Sequence, residues 1–259
     1  MELSIYQVDA FSDKVFKGNP AAICPLDSWL PDSVMQSIAA ENNLAETAFF
    51  IRSGDRFGLR WFTPACEMDL CGHATLASAY VLFNELGEKG PTLRFDTKSG
   101  ELTVKRDGDL LVMDFPSRPP MPVDSDLLII SAMGGDPVEV LAARDYLIAY
   151  KTAAEVLALK PNMDALTRAE RSAFIATAPG DDTDFVSRFF APALGVPEDP
   201  VTGSAHCTLI PYWAEKLGKT TLRARQISPR TGELFCKLAG DRVEIAGYAA
   251  LYLKGIILL

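Results

Sequence analysis

This 259-residue chain contains no Gly-x-x-x-x-Gly-Lys-Ser/Thr loop and no Gly-x-Gly-x-x-Gly segment, which removes the usual sequence support for nucleotide or nicotinamide binding. It also has no Cys-x-x-Cys pair. Its five cysteines, Cys24, Cys66, Cys71, Cys207 and Cys236, are an odd, unpatterned set that argues against a disulfide framework and a zinc ribbon. Free thiols in a reducing compartment are expected. Lys and Arg form no run, and a formal charge of -9 repels phosphate backbones, so nucleic acid is excluded as a partner. No stretch approaches the ~18 apolar residues of a membrane helix, and Met1–Ile5 lacks the features of a secretory signal. A cytoplasmic protein is expected.

What is present is the material of a packed protein: 48% hydrophobic and 23% charged residues, in a length that suits two modest domains. The chain also repeats itself. Arg60-Trp61-Phe62-Thr63-Pro64 returns as Arg188-Phe189-Phe190-Ala191-Pro192, and each copy is followed by a glycine step, Cys71-Gly72-His73 and Thr202-Gly203-Ser204. The order is kept, with three residues added in the second copy. Two copies are too few for a solenoid, so the reading is two similar domains related by a pseudo-twofold axis.

In each copy an extended aromatic segment, a Pro and a loop lead to a helix that begins beside the glycine. Ala74 to Phe83 is small and apolar almost all round, the mark of a buried helix, and Ala205 to Trp213 is similar until Pro211 interrupts it. A helix buried on every side needs a sheet wrapped around it, which predicts an α+β fold with a curved sheet around a central helix in each domain. Ser4–Phe11, Leu93–Phe95, Leu102–Val104 and Leu110–Phe115 read as strands, with a hairpin turn at Asp107-Gly108-Asp109. A surface helix runs from near Pro31 through Val34 and Ile38 to a stop at Asn42-Asn43. Four prolines within 116–122 mark the linker.

The helix starts at Gly72 and Gly203 carry unsatisfied N–H donors that suit an anion, with Thr202 and Ser204 as added hydroxyls. Equally, these glycines permit tight turns and Ser204 caps a helix. Glu46 stands in an apolar extended run, Leu44 to Ile51, and strand alternation places it on the face of Ala48 and Phe50. Burial there raises a carboxyl's pKa, the condition for a group that takes and returns a proton near neutrality, whereas a glutamate turned to solvent is the plain alternative. Asp199, held before Pro200, can orient a ligand amine or bond its own turn. His73 and His206 are the only histidines. Cys71, at a helix start, is a candidate low-pKa thiol, but its counterpart is Thr202. No metal-ligand spacing is recognisable, and no metal or cofactor is expected.

Several stretches in one order resemble the phenazine-biosynthesis (PhzF-like) family, a relative in fold of diaminopimelate epimerase and proline racemase. They are Asp9-Ala10-Phe11 with Gly18-Asn19-Pro20-Ala21-Ala22, Asn43-Leu44-Ala45-Glu46-Thr47-Ala48-Phe49, Leu70-Cys71-Gly72-His73-Ala74-Thr75, Arg188-Phe189-Phe190-Ala191-Pro192 and Glu198 to Ala205. The resemblance implies mixed or antiparallel, barrel-like sheets, with domains at 1–115 plus about 250–259 and at 123–249, and a linker at 116–122. It implies Glu46 as the proton-transfer residue and Gly72, His73, Asp199, Gly203 and Ser204 as substrate-binding residues in the cleft between domains. The implied activity is a cofactor-independent isomerase or epimerase acting on a small carboxylate-bearing molecule, in a homodimer. A non-catalytic binding protein of the same fold and a thiol enzyme using Cys71 are the alternatives. Two departures stand out: a threonine replaces the second cysteine of the two-thiol epimerases, and Thr231 replaces a family glycine in Gln226-Ile227-Ser228-Pro229-Arg230-Thr231-Gly232.

Overall fold

A computed structural model describes residues 1–123 and 127–259. The chain divides into two compact units, Met1–Asp114 with Ala246–Leu259, and Phe115–Ile245. In the first, Ala249–Leu258 pairs antiparallel with Glu2–Ala10, from Glu2 opposite Leu258 to Ala10 opposite Ala249. Glu2–Ala10 is antiparallel to Asn19–Leu26, which runs parallel to Glu46–Ser53, itself antiparallel to Arg56–Phe62. Arg56–Phe62 then runs parallel to Thr92–Thr97, and the expected hairpin of Gly100–Asp107 and Leu110–Pro116 completes the order, its turn using Gly108 at φ +60°.

Two helices serve this sheet. Asp32–Asn42 starts after Pro31 and stops where Asn43 turns left-handed (φ +49°), its N–H donating to the Ala39 carbonyl at 3.2 Å. Met35, Ile38 and Ala39 pack on Phe49 and Phe62. The other, Gly72–Tyr80, buries every residue from His73 to Ala79 and ends in a π-helical turn, Val81–Glu85. It touches Glu2–Ala10, Asn19–Leu26, Glu46–Ser53, Gly100–Asp107 and Ala249–Leu258, so the sheet does wrap around it. Its two buried hydroxyls cost little because both bond their own helix: Thr75 Oγ1 donates to the Cys71 carbonyl (2.6 Å) and Ser78 Oγ to that of Ala74 (2.7 Å).

The second unit repeats the scheme. Met121–Pro122, Glu139–Ala142, Tyr146–Ala149, Phe174–Pro179, Phe185–Ala191, Thr221–Gln226 and Gly232–Ala239 pair in that order, as antiparallel, antiparallel, parallel, antiparallel, parallel and antiparallel neighbours. That is the sequence of directions in the first unit, starting from Ala249–Leu258. The duplication extends to an ion pair. Arg60 binds Glu67 through two bonds of 2.7 and 2.9 Å, and Arg188 binds Glu198 through two of 2.8 and 2.9 Å. Each guanidinium also covers the second aromatic of its own motif, Phe62 at 5.2 Å and Phe190 at 4.9 Å.

One expectation is overturned. Pro211 does not interrupt the second central helix, which runs unbroken over Gly203–Leu217. A proline inside a helix orphans the carbonyl four residues back. Here that carbonyl, of Cys207, accepts instead from the backbone N–H of Arg118 at 2.9 Å. The donor comes from the proline-rich stretch 116–122, in which Ser117 N–H also donates to the Asp241 carbonyl (2.8 Å) and Met121–Pro122 forms a short strand.

Candidate active site

Glu46 opens its strand three residues after the left-handed Asn43, opposite Ala21 of the neighbouring parallel strand. Phe49 faces the Asp32–Asn42 helix, so alternation puts Ala48, Phe50 and Glu46 on the opposite face. That is the face the central helix covers. The Glu46 side chain is 16% exposed, and its Oε2 lies 3.2 Å from Nε2 of His73, on the first turn of that helix. Glu46 is therefore turned largely away from solvent, as the first reading requires, but the groups observed beside its carboxylate are the polar His73 and Cys71 and not apolar side chains.

His73 is itself buried. Desolvation pushes its pKa down to about 3, only partly opposed by the Pro20 carbonyl, which accepts from the ring, so the imidazole is neutral at physiological pH. Its Nδ1 faces Cys71 Sγ at 3.5 Å and Asn19 Nδ2 at 3.3 Å. Cys71 is the residue before the helix, and its own side chain does not cap that helix start. Gly72 and His73 thus begin a helix whose first N–H groups are not taken up by the Cys71 side chain.

Glu46, Cys71 and His73 place one donor atom each within 4.8 Å of one another. The set fits a single cation poorly. Cys71 approaches Nδ1 and Glu46 approaches Nε2, and the two lone-pair directions of one imidazole diverge, so one ion cannot bond all three.

In the second unit the Thr202 side chain likewise does not cap its helix start. Ser204 is not a cap: its Oγ accepts from Arg144 Nη2 at 3.1 Å, and Arg144 is held by two bonds to the buried Asp145 (2.9 and 2.8 Å). Asp199 accepts from Thr202 Oγ1 at 2.5 Å. The loop between them is clamped by fully buried Gln226, whose Oε1 accepts from Thr202 N–H (2.8 Å) and whose Nε2 donates to the Asp199 carbonyl (2.7 Å). His206 is buried, its Nδ1 donates to the Thr202 carbonyl (2.8 Å), and desolvation lowers its pKa to about 4.

The repeat shows that the carboxylate is single. Thr47 pairs with Phe62 and Phe174 with Phe190, so the residue before each, Glu46 and Ala173, correspond. An alanine stands where a second acid would be.

The sequence alone assigns no role to Asn19, Gln226 or Arg144. Asn19 sits in Gly18-Asn19-Pro20, where Gly18 is at φ +66° and a Cβ there would lie 2.1 Å from the Ala10 carbonyl oxygen. A glycine forced beside a polar residue and a proline was the available signal. Gln226 heads the family-like stretch Gln226 to Gly232, which gave a place but no role, and for Arg144 there was no signal short of the fold.

The profile of the family described as phenazine biosynthesis-like protein matches residues 8–255. An uncharacterized isomerase of Pseudomonas aeruginosa is 52% identical over 260 residues, covering 100% of both chains. The crystal structure of a phenazine biosynthesis protein of the PhzF family from Enterococcus faecalis is 46% identical, covers 100% of both chains and superposes with a TM-score of 0.98. A probable proline racemase from Agrobacterium radiobacter, at 10% identity with 99% of this chain and 92% of that one covered, has a TM-score of 0.66, a likeness of fold alone. The fold is the α+β, diaminopimelate epimerase-like one.

Proposed function

We propose that this chain, which belongs to the phenazine biosynthesis-like protein family and is an isomerase, moves a proton between carbon atoms of a small carboxylate-bearing substrate with Glu46 as the acid/base. One observation carries the reading: a mostly buried carboxylate, 3.2 Å from a neutral imidazole, beside a helix start that the Cys71 side chain does not cap. A carboxylate in that setting accepts a proton from carbon and returns it at another position. The amide groups at Gly72 and Gly203, with the Ser204 hydroxyl, are proposed to hold the negative charge that grows on the substrate, and His73 and Asp199 to fix its amine or hydroxyl. None of these roles requires a metal or organic cofactor.

The test uses deuterium oxide. Small amino and hydroxy acids are incubated with the protein and carbon-bound deuterium is read by NMR. Glu46→Gln preserves shape and removes the base, so incorporation should fall by at least ~100-fold, within the range for a general base. Undiminished incorporation in that variant ends the assignment.

The file Cys71 Sγ, His73 Nδ1, His73 Nε2, Glu46 favours a second reading, because nucleophile, base and orienting acid stand in that order in thiol enzymes. Cys71→Ser separates the two. A nucleophilic thiol predicts loss of activity, and proton transfer by Glu46 predicts its retention.

A homodimer in the cytoplasm is proposed as the working form. Phe16, Tyr252, Ile256 and Leu258 are exposed, and Phe16 and Tyr252 touch edge to face at 5.5 Å, an apolar surface that a second copy would cover. A purified protein sedimenting as a monomer at micromolar concentration would contradict this.

A further inference from the structure

A neutral imidazole has one N–H and one bare nitrogen, and which is which is decided by what faces it. At His73 the two sides differ. Nε2 looks toward the Glu46 carboxylate, Nδ1 toward the Asn19 amide nitrogen (3.3 Å) and the Cys71 thiol (3.5 Å), and the Pro20 carbonyl also accepts from the ring, so with donors on the Nδ1 side the Nε2–H is what that carbonyl and Glu46 share. An amide nitrogen only donates, and a thiol is a weak donor. Two donors converging on Nδ1 need an acceptor there, which leaves the ring proton on Nε2.

We propose that Asn19 and Cys71 are positioning residues that hold His73 in its Nε2–H tautomer, so that an N–H, not a lone pair, faces Glu46 and favours its ionised, proton-accepting form. The consequence for catalysis rests on the reading of Glu46 as the base. In the opposite tautomer a bare nitrogen would face Glu46 and favour the neutral acid, which cannot take a proton from carbon. Burial keeps His73 uncharged across the physiological range, so tautomer, not charge, is the variable. Asn19 is itself fully buried, which makes its amide orientation a matter of packing and not of solvent.

The second histidine supplies the control. Nδ1 of His206 lies 2.8 Å from the Thr202 carbonyl, an acceptor, so His206 must carry its proton on Nδ1. The two histidines are thus expected in opposite tautomers, and they are the only two in the chain.

Uniformly 15N-labelled protein examined by a long-range proton–nitrogen correlation at neutral pH reads both rings, with His206→Asn giving the assignment. The expected spectrum has His73 protonated at Nε2 and His206 at Nδ1. Asn19→Asp, which puts an acceptor beside Nδ1, should move the His73 proton to Nδ1. Cys71→Ser should preserve the Nε2–H pattern, since a hydroxyl also donates, and Cys71→Ala should blur it into a mixture. Wild-type His73 protonated at Nδ1 overturns the proposal, as does an Asn19→Asp protein still protonated at Nε2. If Asn19→Asp does not fold, the wild-type spectrum and the Cys71 pair decide alone. The readout needs no substrate, so it is independent of the Glu46→Gln assay. An Nε2–H tautomer with undiminished turnover in Glu46→Gln would remove the base and keep the tautomer, and the reverse pair of results would do the opposite.

Discussion

Thr231 stands at φ +57°, in the left-handed region where a β-branched side chain is strained and glycine is not. Its N–H donates to the Ser228 carbonyl at 3.0 Å, so the turn is kept for its hydrogen bonds despite the strain. Thr231→Gly should therefore stabilise the protein by about 1 kcal/mol, the strain relieved less the added freedom of the unfolded chain. Urea denaturation midpoints would show it, and a destabilised variant would mean that the Thr231 side chain contributes packing that outweighs the strain. The residue was legible in advance only as a departure from a pattern. Glu46 was legible because an acid amid Leu44, Ala48 and Phe50 contradicts its neighbours. Asn19 was not, because its meaning lies in an imidazole 54 positions away.

At the scale of elements the repeat carried most of the fold. An Arg-aromatic-Phe-x-Pro pentamer followed by a glycine step located both central helices before any coordinates. The same register then located Ala173 as the counterpart of Glu46. What misled was a rule applied without context. Pro211 reads as a helix breaker, and in an ordinary helix interior a proline costs about 3 kcal/mol relative to alanine. That cost combines ring clash with an orphaned carbonyl, and the Arg118 N–H removes the second part. The donor arrives from 93 positions earlier in sequence, so no local window could reveal it. Pro211→Ala should consequently change stability by less than about 1 kcal/mol, because the new N–H meets a carbonyl already bonded and the unfolded chain gains freedom. A gain near 3 kcal/mol in denaturant titration would show that the Arg118 bond contributes nothing.

For the whole molecule the two histidines set a pH dependence whose sign follows from burial. Both have folded pKa values below the ordinary 6.5, about 3 for His73 and about 4 for His206, so the folded protein keeps them neutral where the unfolded chain protonates them. Unfolding then takes up protons, and stability falls as pH drops below 6.5, until His206 saturates near 4 and His73 near 3. At pH 5.5 each ring should cost about 1.4 kcal/mol relative to neutrality, about 3 kcal/mol together. Three paired carboxylates act below this window. Glu67, held down to about 2 by hydrogen bonding to Arg60, and the lowered Glu139 and Asp184 lose their stabilising charge only from the ordinary carboxylate range downward. His206→Asn keeps a donor near Nδ1 for the Thr202 carbonyl and cannot titrate. Whatever that substitution does at neutral pH, it should remove about half of the loss between pH 7.5 and 5.5. Chemical denaturation at both pH values measures that difference. An unchanged pH slope in His206→Asn would mean that His206 is protonated in the folded protein, and that the space around its Nε2 admits water.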